Sequence, residues 1–224
     1  DAIRTHELGR LRIDDDGLPP ADTEPLLPAD GTASNSWVGL ALLHALFMAE
    51  HNAICARLHR AYPAMTDQQL FDTARLINAA LIAKIHTIEW TTAIIAHPTT
   101  VAAMRGNWFG VLGEDVARRF GHLVDNEVIS GIPGSHTEFD GVPFALTEEF
   151  VAVYRMHPLM PDGLTFRDHT DDAVVAEHQL ADLFMPQSRI RDRLREMGRP
   201  HPDLLYSLGR AHPVADVEAL DEDA

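Results

Sequence analysis

The 224-residue chain has a single cysteine, few cations and no long uninterrupted apolar run. Each shortage excludes something. One cysteine cannot form an intramolecular disulfide, and Cys55 sits within an apolar helical pattern, so it reads as an inert core thiol. Lys and Arg number 18 against 34 Asp and Glu, a formal net charge of −16. A phosphate backbone attracts basic stripes and repels this balance, which excludes nucleic acid as a partner. An anionic small molecule remains admissible, because one cation inside a pocket outweighs distant, screened surface charge. No apolar stretch reaches the roughly 18 uninterrupted residues of a membrane span. Residues 1–16 are of mixed charge and carry no signal-peptide core. A cytoplasmic or membrane-peripheral location is therefore expected, with peripheral membrane contact and oligomeric state left open.

Several catalytic signatures are missing as well. A zincin needs H-E-x-x-H, and the only His-Glu pair, His6-Glu7, is followed by Leu8-Gly9-Arg10. No glutamate has a histidine three residues later, which removes the carboxylate-bridged di-iron bundle. A Gly-x-Ser-x-Gly elbow, a P-loop and a Gly-x-Gly-x-x-Gly turn are absent too. The commonest hydrolase and nucleotide-binding classes fall with them.

What is present is mostly helical pattern. Residues 1–35 are polar and rich in Asp, Pro and Gly, and read as an extended arm. Ser36 is a candidate N-cap for a helix whose apolar residues, from Trp37 to Leu58, recur at helical spacing as far as Tyr62-Pro63. Thr66 and Gln69 form a capping-box pattern ahead of a second helix of about 30 residues, ending at His97-Pro98. That helix is apolar on most faces, the mark of a helix in the middle of a large domain. Shorter helices are expected from Thr99 to Phe120, then loop over 121–143. A further helix runs from about Thr147 to His157, stopped by Pro158 and Pro161. Segments 171–184 and 187–197 are expected as helices, and 201–224 as an irregular acidic tail. The fold class is mainly α.

Thirteen histidines are present. His44, His51 and His59 share one helix and read as satisfied polar contacts. His6, His169, His178, His201 and His212 lie in polar stretches and read as solvated. The most informative stretch is Tyr154-Arg155-Met156-His157-Pro158-Leu159-Met160-Pro161-Asp162. Residues i and i+3 share a helix face, so Tyr154 and His157 can address one object. Imidazole is a standard axial ligand of haem iron, and a tyrosine one turn away offers a short electron path to it. The same pair also suits plain helix packing, and spacing alone does not choose between them.

Several motifs, in order over about 160 residues, do choose. Thr147 to Asp162 resembles the proximal-ligand helix shared by the fatty-acid α-dioxygenases and prostaglandin synthases of the animal-type haem peroxidase superfamily. Ala49-Glu50-His51-Asn52-Ala53-Ile54-Cys55 resembles that superfamily's Glu-His-Asn helix. Lys84-Ile85-His86-Thr87-Ile88-Glu89-Trp90-Thr91, Asn35-Ser36-Trp37-Val38-Gly39-Leu40 and Met104-Arg105-Gly106-Asn107-Trp108-Phe109-Gly110 resemble the α-dioxygenases in particular.

The resemblance implies a central piece of an animal haem-peroxidase-like helical domain. An arm at 1–35, a partial haem domain at 36–200 and a tail at 201–224 would divide the chain. It implies haem b, with His157 as proximal iron ligand and Tyr154 as the radical residue that removes hydrogen from the carbon next to a fatty-acid carboxylate. O2 then adds there to give a 2-hydroperoxide. His86 and Thr91 match positions that hold the substrate carboxylate. Arg155, beside His157, is a candidate for a haem propionate. Glu50, His51 and Asn52 are given a structural role. The family's distal histidine and calcium-binding loop lie upstream of the matching region, and its carboxylate-pairing arginine lies beyond it. Ser34 stands where an arginine is expected. Two alternatives remain: a general haem peroxidase using peroxide on small reductants, and a non-catalytic remnant of the fold.

Overall fold

The computed structural model describes residues 3–20, 37–135, 148, 161–185 and 187–210. They fall into two units, Asp1–Ala74 with Leu146–Ala224, and Arg75–Ala145.

The first unit is built on helix α1, Val38–Ala61. Its N-cap is Trp37, which has extended backbone and makes no side-chain cap bond. Trp37 instead bridges to Phe184 and stacks on its ring at 5.8 Å. Helix α1 is long and apolar enough to cross a membrane by length and composition. It buries Val38, Leu42 and Ala45 in a core with Leu164, Phe166, Leu183, Ile190, Leu194 and Leu204, as a core helix does.

Helix α2, Asp67–Lys84, begins in this unit. Its capping box forms as the sequence indicates: the Gln69 N–H donates to Thr66 Oγ1 at 3.3 Å, and the Thr66 N–H donates to Gln69 Oε1 at 2.9 Å.

Residues 174–179, within a segment expected to be helical, are a strand. β1 (Gly163–Arg167) and β2 (Val174–Gln179) pair antiparallel, with Leu164 opposite His178 and Phe166 opposite Ala176. Alternation on β1 sends Leu164 and Phe166 into the core. The intervening Asp-rich turn is closed by the Asp168 N–H donating to the Ala173 carbonyl at 2.9 Å. A 3-10 turn, Leu180–Leu183, follows, then α7, Gln187–Met197, as expected. Residues 201–210 form helix α8, not irregular tail. Its apolar face buries Leu204, and Asp203 and Ser207 are buried beside it.

The N-terminal arm is fastened at several points, Gly9 first among them. Gly9 has φ +70°, and a Cβ there would lie 2.5 Å from the Phe71 nitrogen, so only glycine fits. Its N–H donates to Asp67 Oδ1 at 2.6 Å, while its carbonyl accepts from His51 Nε2 at 2.9 Å and from the Cys55 thiol at 3.3 Å. Asn52 pairs both ways with Leu11, donating to its carbonyl and accepting from its N–H at 2.9 and 2.8 Å. His51 and Asn52 thus act as structural clamps, the role the Glu-His-Asn pattern was given. Burial pushes the Cys55 thiol up from its ordinary pKa, in keeping with an inert core cysteine.

The second unit continues α2 through a π-turn, Ile85–Trp90, into α3, Thr91–Ile94. Helix α4, Pro98–Phe109, follows, capped by His97 Nδ1 accepting from the Thr99 N–H at 3.2 Å. Short helices α5, Glu114–Phe120, and α6, Glu127–Ser130, come next, the latter within a stretch expected to be loop. Gly110 and Gly131, both at positive φ, let the ends of α4 and α6 meet backbone to backbone; a Cβ on Gly131 would lie 2.2 Å from the Trp108 carbonyl oxygen.

Candidate functional site

Five residues carry the expected site, and the structure brings two of them together. Tyr154, Arg155 and His157 lie outside the described residues. His86 and Thr91 both lie on the π-turn and its exit.

The turn follows from its sequence. Ile85, Thr87, Ile88, Thr91 and Thr92 are β-branched and crowd the preceding turn. Three threonine hydroxyls bond back to main-chain carbonyls: Thr87 to Ala83 at 2.8 Å, Thr91 to His86 at 2.7 Å and Thr92 to Ile88 at 2.7 Å. Such back-bonding competes with the α-helical ladder and bends it. The ladder widens, and the Thr91 N–H donates to the His86 carbonyl instead of the Thr87 carbonyl.

This widening decides what His86 and Thr91 can do. On an α-helix the neighbours of a residue are three and four positions away, and the fifth falls off the face. On a turn closed from i to i+5, Thr91 stands one turn above His86. The His86 imidazole stacks on Trp90 with centroids 4.9 Å apart and planes 21° apart. An imidazole N–H and a hydroxyl can both donate to an oxyanion. The Thr91 proton is already given to the His86 carbonyl. Donating to a carboxylate therefore requires that hydroxyl to turn.

Two further groups were not foreseen. His169, read as solvated, places Nδ1 2.5 Å from the buried Asp203 Oδ1, whose oxygen also accepts from the His169 N–H at 3.2 Å. With Asp168 they form the one trio of metal-ligand type among the described residues. Its hydrogen bonds are internal: Asp168 Oδ1 accepts from the Thr170 N–H at 2.8 Å and from its hydroxyl. The His169–Asp203 bonds tie the hairpin turn to α8. No local spacing could have shown a contact between residues 34 apart. His59, read as satisfied, keeps a buried Nδ1 without a partner.

With helices of this order and a His-Thr pair at this spacing on the page, comparison with known proteins defines the class. The animal haem peroxidase family model matches residues 1–222, so the chain belongs to the animal haem peroxidase family. Its likeness runs to the α-dioxygenases. It is 42% identical over 192 residues to alpha-dioxygenase 2 of Arabidopsis thaliana, covering 84% of this chain and 30% of that protein. The fatty acid alpha-dioxygenase of Oryza sativa superposes with a TM-score of 0.78 at 32% identity, over 95% of this chain and 35% of that one. A Tyr-to-Phe variant of the rice enzyme, with palmitic acid, matches with a TM-score of 0.76, 32% identity and the same shares of both chains. The chain thus spans about a third of the length of the relatives it matches.

Proposed function

We propose that the protein carrying this chain is a haem-dependent fatty-acid α-dioxygenase, and that residues 36–200 form part of its haem domain. The observation that carries the reading is the π-turn. It puts Thr91 one turn above His86, which supports reading the two as a pair that holds one carboxylate once the Thr91 hydroxyl turns away from the His86 carbonyl. Family membership and the likeness to α-dioxygenases supply the chemistry around it.

In this reading the His157 imidazole holds haem b, a donor suited to an iron porphyrin, and Arg155 pairs with a propionate. Haem supplies oxidising power for a carbon–hydrogen bond too strong for acid–base help. The Tyr154 phenoxyl oxygen takes the hydrogen atom from the carbon beside the carboxylate. O2 adds to that carbon, and the hydrogen returns from Tyr154 to complete a 2-hydroperoxide. His86 and Thr91 fix the carboxylate, and with it the carbon presented to Tyr154. No residue of this chain is assigned to calcium. A membrane-peripheral setting suits an acyl chain that leaves water readily, with the cytoplasm as the other expected location.

Oxygen uptake with palmitate, in the haem-loaded protein, tests this. Tyr154→Phe should keep the Soret band and abolish uptake, whereas His157→Ala should lose the band. Uptake retained by Tyr154→Phe removes the radical role. Turnover of small reductants that needs peroxide, without fatty-acid-dependent uptake, would assign a general peroxidase instead.

A further inference from the structure

Asp203 is 2% exposed, yet no lysine or arginine pairs with its carboxylate among the described residues. Buried charges are ordinarily paired or bound to a metal. Its Oδ1 accepts from the His169 N–H and lies 2.5 Å from His169 Nδ1. Its Oδ2 makes no hydrogen bond among the described residues, and this is an oxygen of a buried side chain left unfilled. Asp168 is brought alongside by the hairpin turn. Thr170 occupies the Asp168 Oδ1 with two donors and leaves its Oδ2 equally without a hydrogen bond among the described residues. One ligand atom from each of Asp168, His169 and Asp203 lies within 4.8 Å of the other two.

The donor set is mixed, one imidazole nitrogen with two carboxylates. Zinc and ions like it accept such a set and complete it with water, whereas calcium takes about six to eight oxygens. The Thr170 hydroxyl and N–H hold the Asp168 carboxyl below its ordinary pKa, so it is ionised as a ligand must be. The His169 side chain is 45% exposed, which leaves a way in for the ion and its waters.

We propose that Asp168, His169 and Asp203 bind a divalent transition-metal ion of the zinc type, which clips the β1–β2 turn to the first turn of α8. The ion takes the place of the proton between His169 Nδ1 and Asp203 Oδ1, and that proton leaves to solvent. The clip needs no haem. Arg199 opposes it, because its positive charge is felt at Asp168.

Zinc titration of the 224-residue protein by calorimetry, in two buffers of different ionisation enthalpy, tests this. One ion per chain should bind with a Kd at or below about 10 μM and release about one proton. Saturating zinc should raise the thermal midpoint by about 5 °C or more. His169→Ala and Asp203→Asn should each weaken binding more than about tenfold, since even outer partners of a metal site cost that much. Asp168→Asn keeps an acceptor for Thr170, so its metal-free midpoint should stay unchanged while zinc weakens to a similar degree. That variant carries the test if Asp203→Asn fails to fold. Arg199→Ala should strengthen binding by up to about fivefold. Binding that survives both His169→Ala and Asp168→Asn would put the zinc adventitiously on other histidines and overturn the proposal. So would the lack of saturable binding up to about 1 mM, or binding that leaves the midpoint where it was. Calcium competing at about 1 mM would mark an unselective acidic site and overturn the assignment to a transition metal.

Discussion

The two units differ in how they hold together. The first buries Phe166, Leu183 and Leu204 completely or nearly so, and stitches its arm down through Gly9 and Leu11. The second buries only one large apolar side chain among the described residues, Phe109. Leu76, Val111, Phe120 and Val128 stand 59–69% exposed there. Its local order comes from hydrogen bonds within turns and from two glycines that bring backbones together. Helical pattern thus specifies both units, but among the described residues the first buries its apolar faces far more fully than the second.

Substitutions can break this contrast. The largest effect is expected for Phe166→Ala, which should cost about 3–5 kcal/mol in urea unfolding, as for large core truncations generally. Phe120→Ala in the second unit should cost under about 0.5 kcal/mol. Equal costs would abolish the distinction. Next comes Gly131→Ala, which forces a Cβ against the Trp108 carbonyl at positive φ and should cost about 2–3 kcal/mol. Its effect should show as faster proteolysis within 75–145, with cleavage elsewhere unchanged.

Asn52→Ala leaves both polar groups of Leu11 unpaired and should cost about 1–2 kcal/mol. Amide exchange at Leu11 should accelerate while exchange in α4 does not. The smallest effect concerns acid. Burial pushes the Asp16 carboxyl up, but the Arg191 hydrogen bond, the Leu18 N–H and the charges of Arg191 and Arg195 outweigh it and hold its pKa below the ordinary value. The folded state therefore binds this proton less readily than the unfolded one. The clamp between the arm and α7 is whole above the ordinary carboxylate pKa and is lost as pH falls through the lowered one. Its contribution is under about 1 kcal/mol, so acid should loosen residues 14–20 before the rest of the unit, as read by hydrogen exchange.

The sequence was most readable where local chemistry decides. The Thr66–Gln69 box and the stop at Tyr62 stand where cap rules put them, and the second helical run ends at Ile94, a little before the stop expected at His97-Pro98. The family motifs were readable as well, because they are runs of residues. Strand β2 was misread because Val174 to Gln179 lacks clean alternation, and its partner strand supplies what its own pattern does not. Helix α8 did carry a signal: Pro202 and Asp203 suit a first turn, and Leu204 and Leu208 sit four apart. An acidic end composition masked it. The π-turn was missed although its β-branched run stands in the sequence, because such a run also fits an ordinary helix until the ladder is known to be widened.

That widened turn bears on how chains of this kind should be aligned. It holds one residue more than the α-turn it replaces, so a homologue one position shorter between Lys84 and Thr91 would keep every neighbouring motif. With the missing residue between histidine and threonine, the two would stand four positions apart on an α-turn and still share a face. A one-column gap there would then mark the loss of the π-turn, with the pair kept in place.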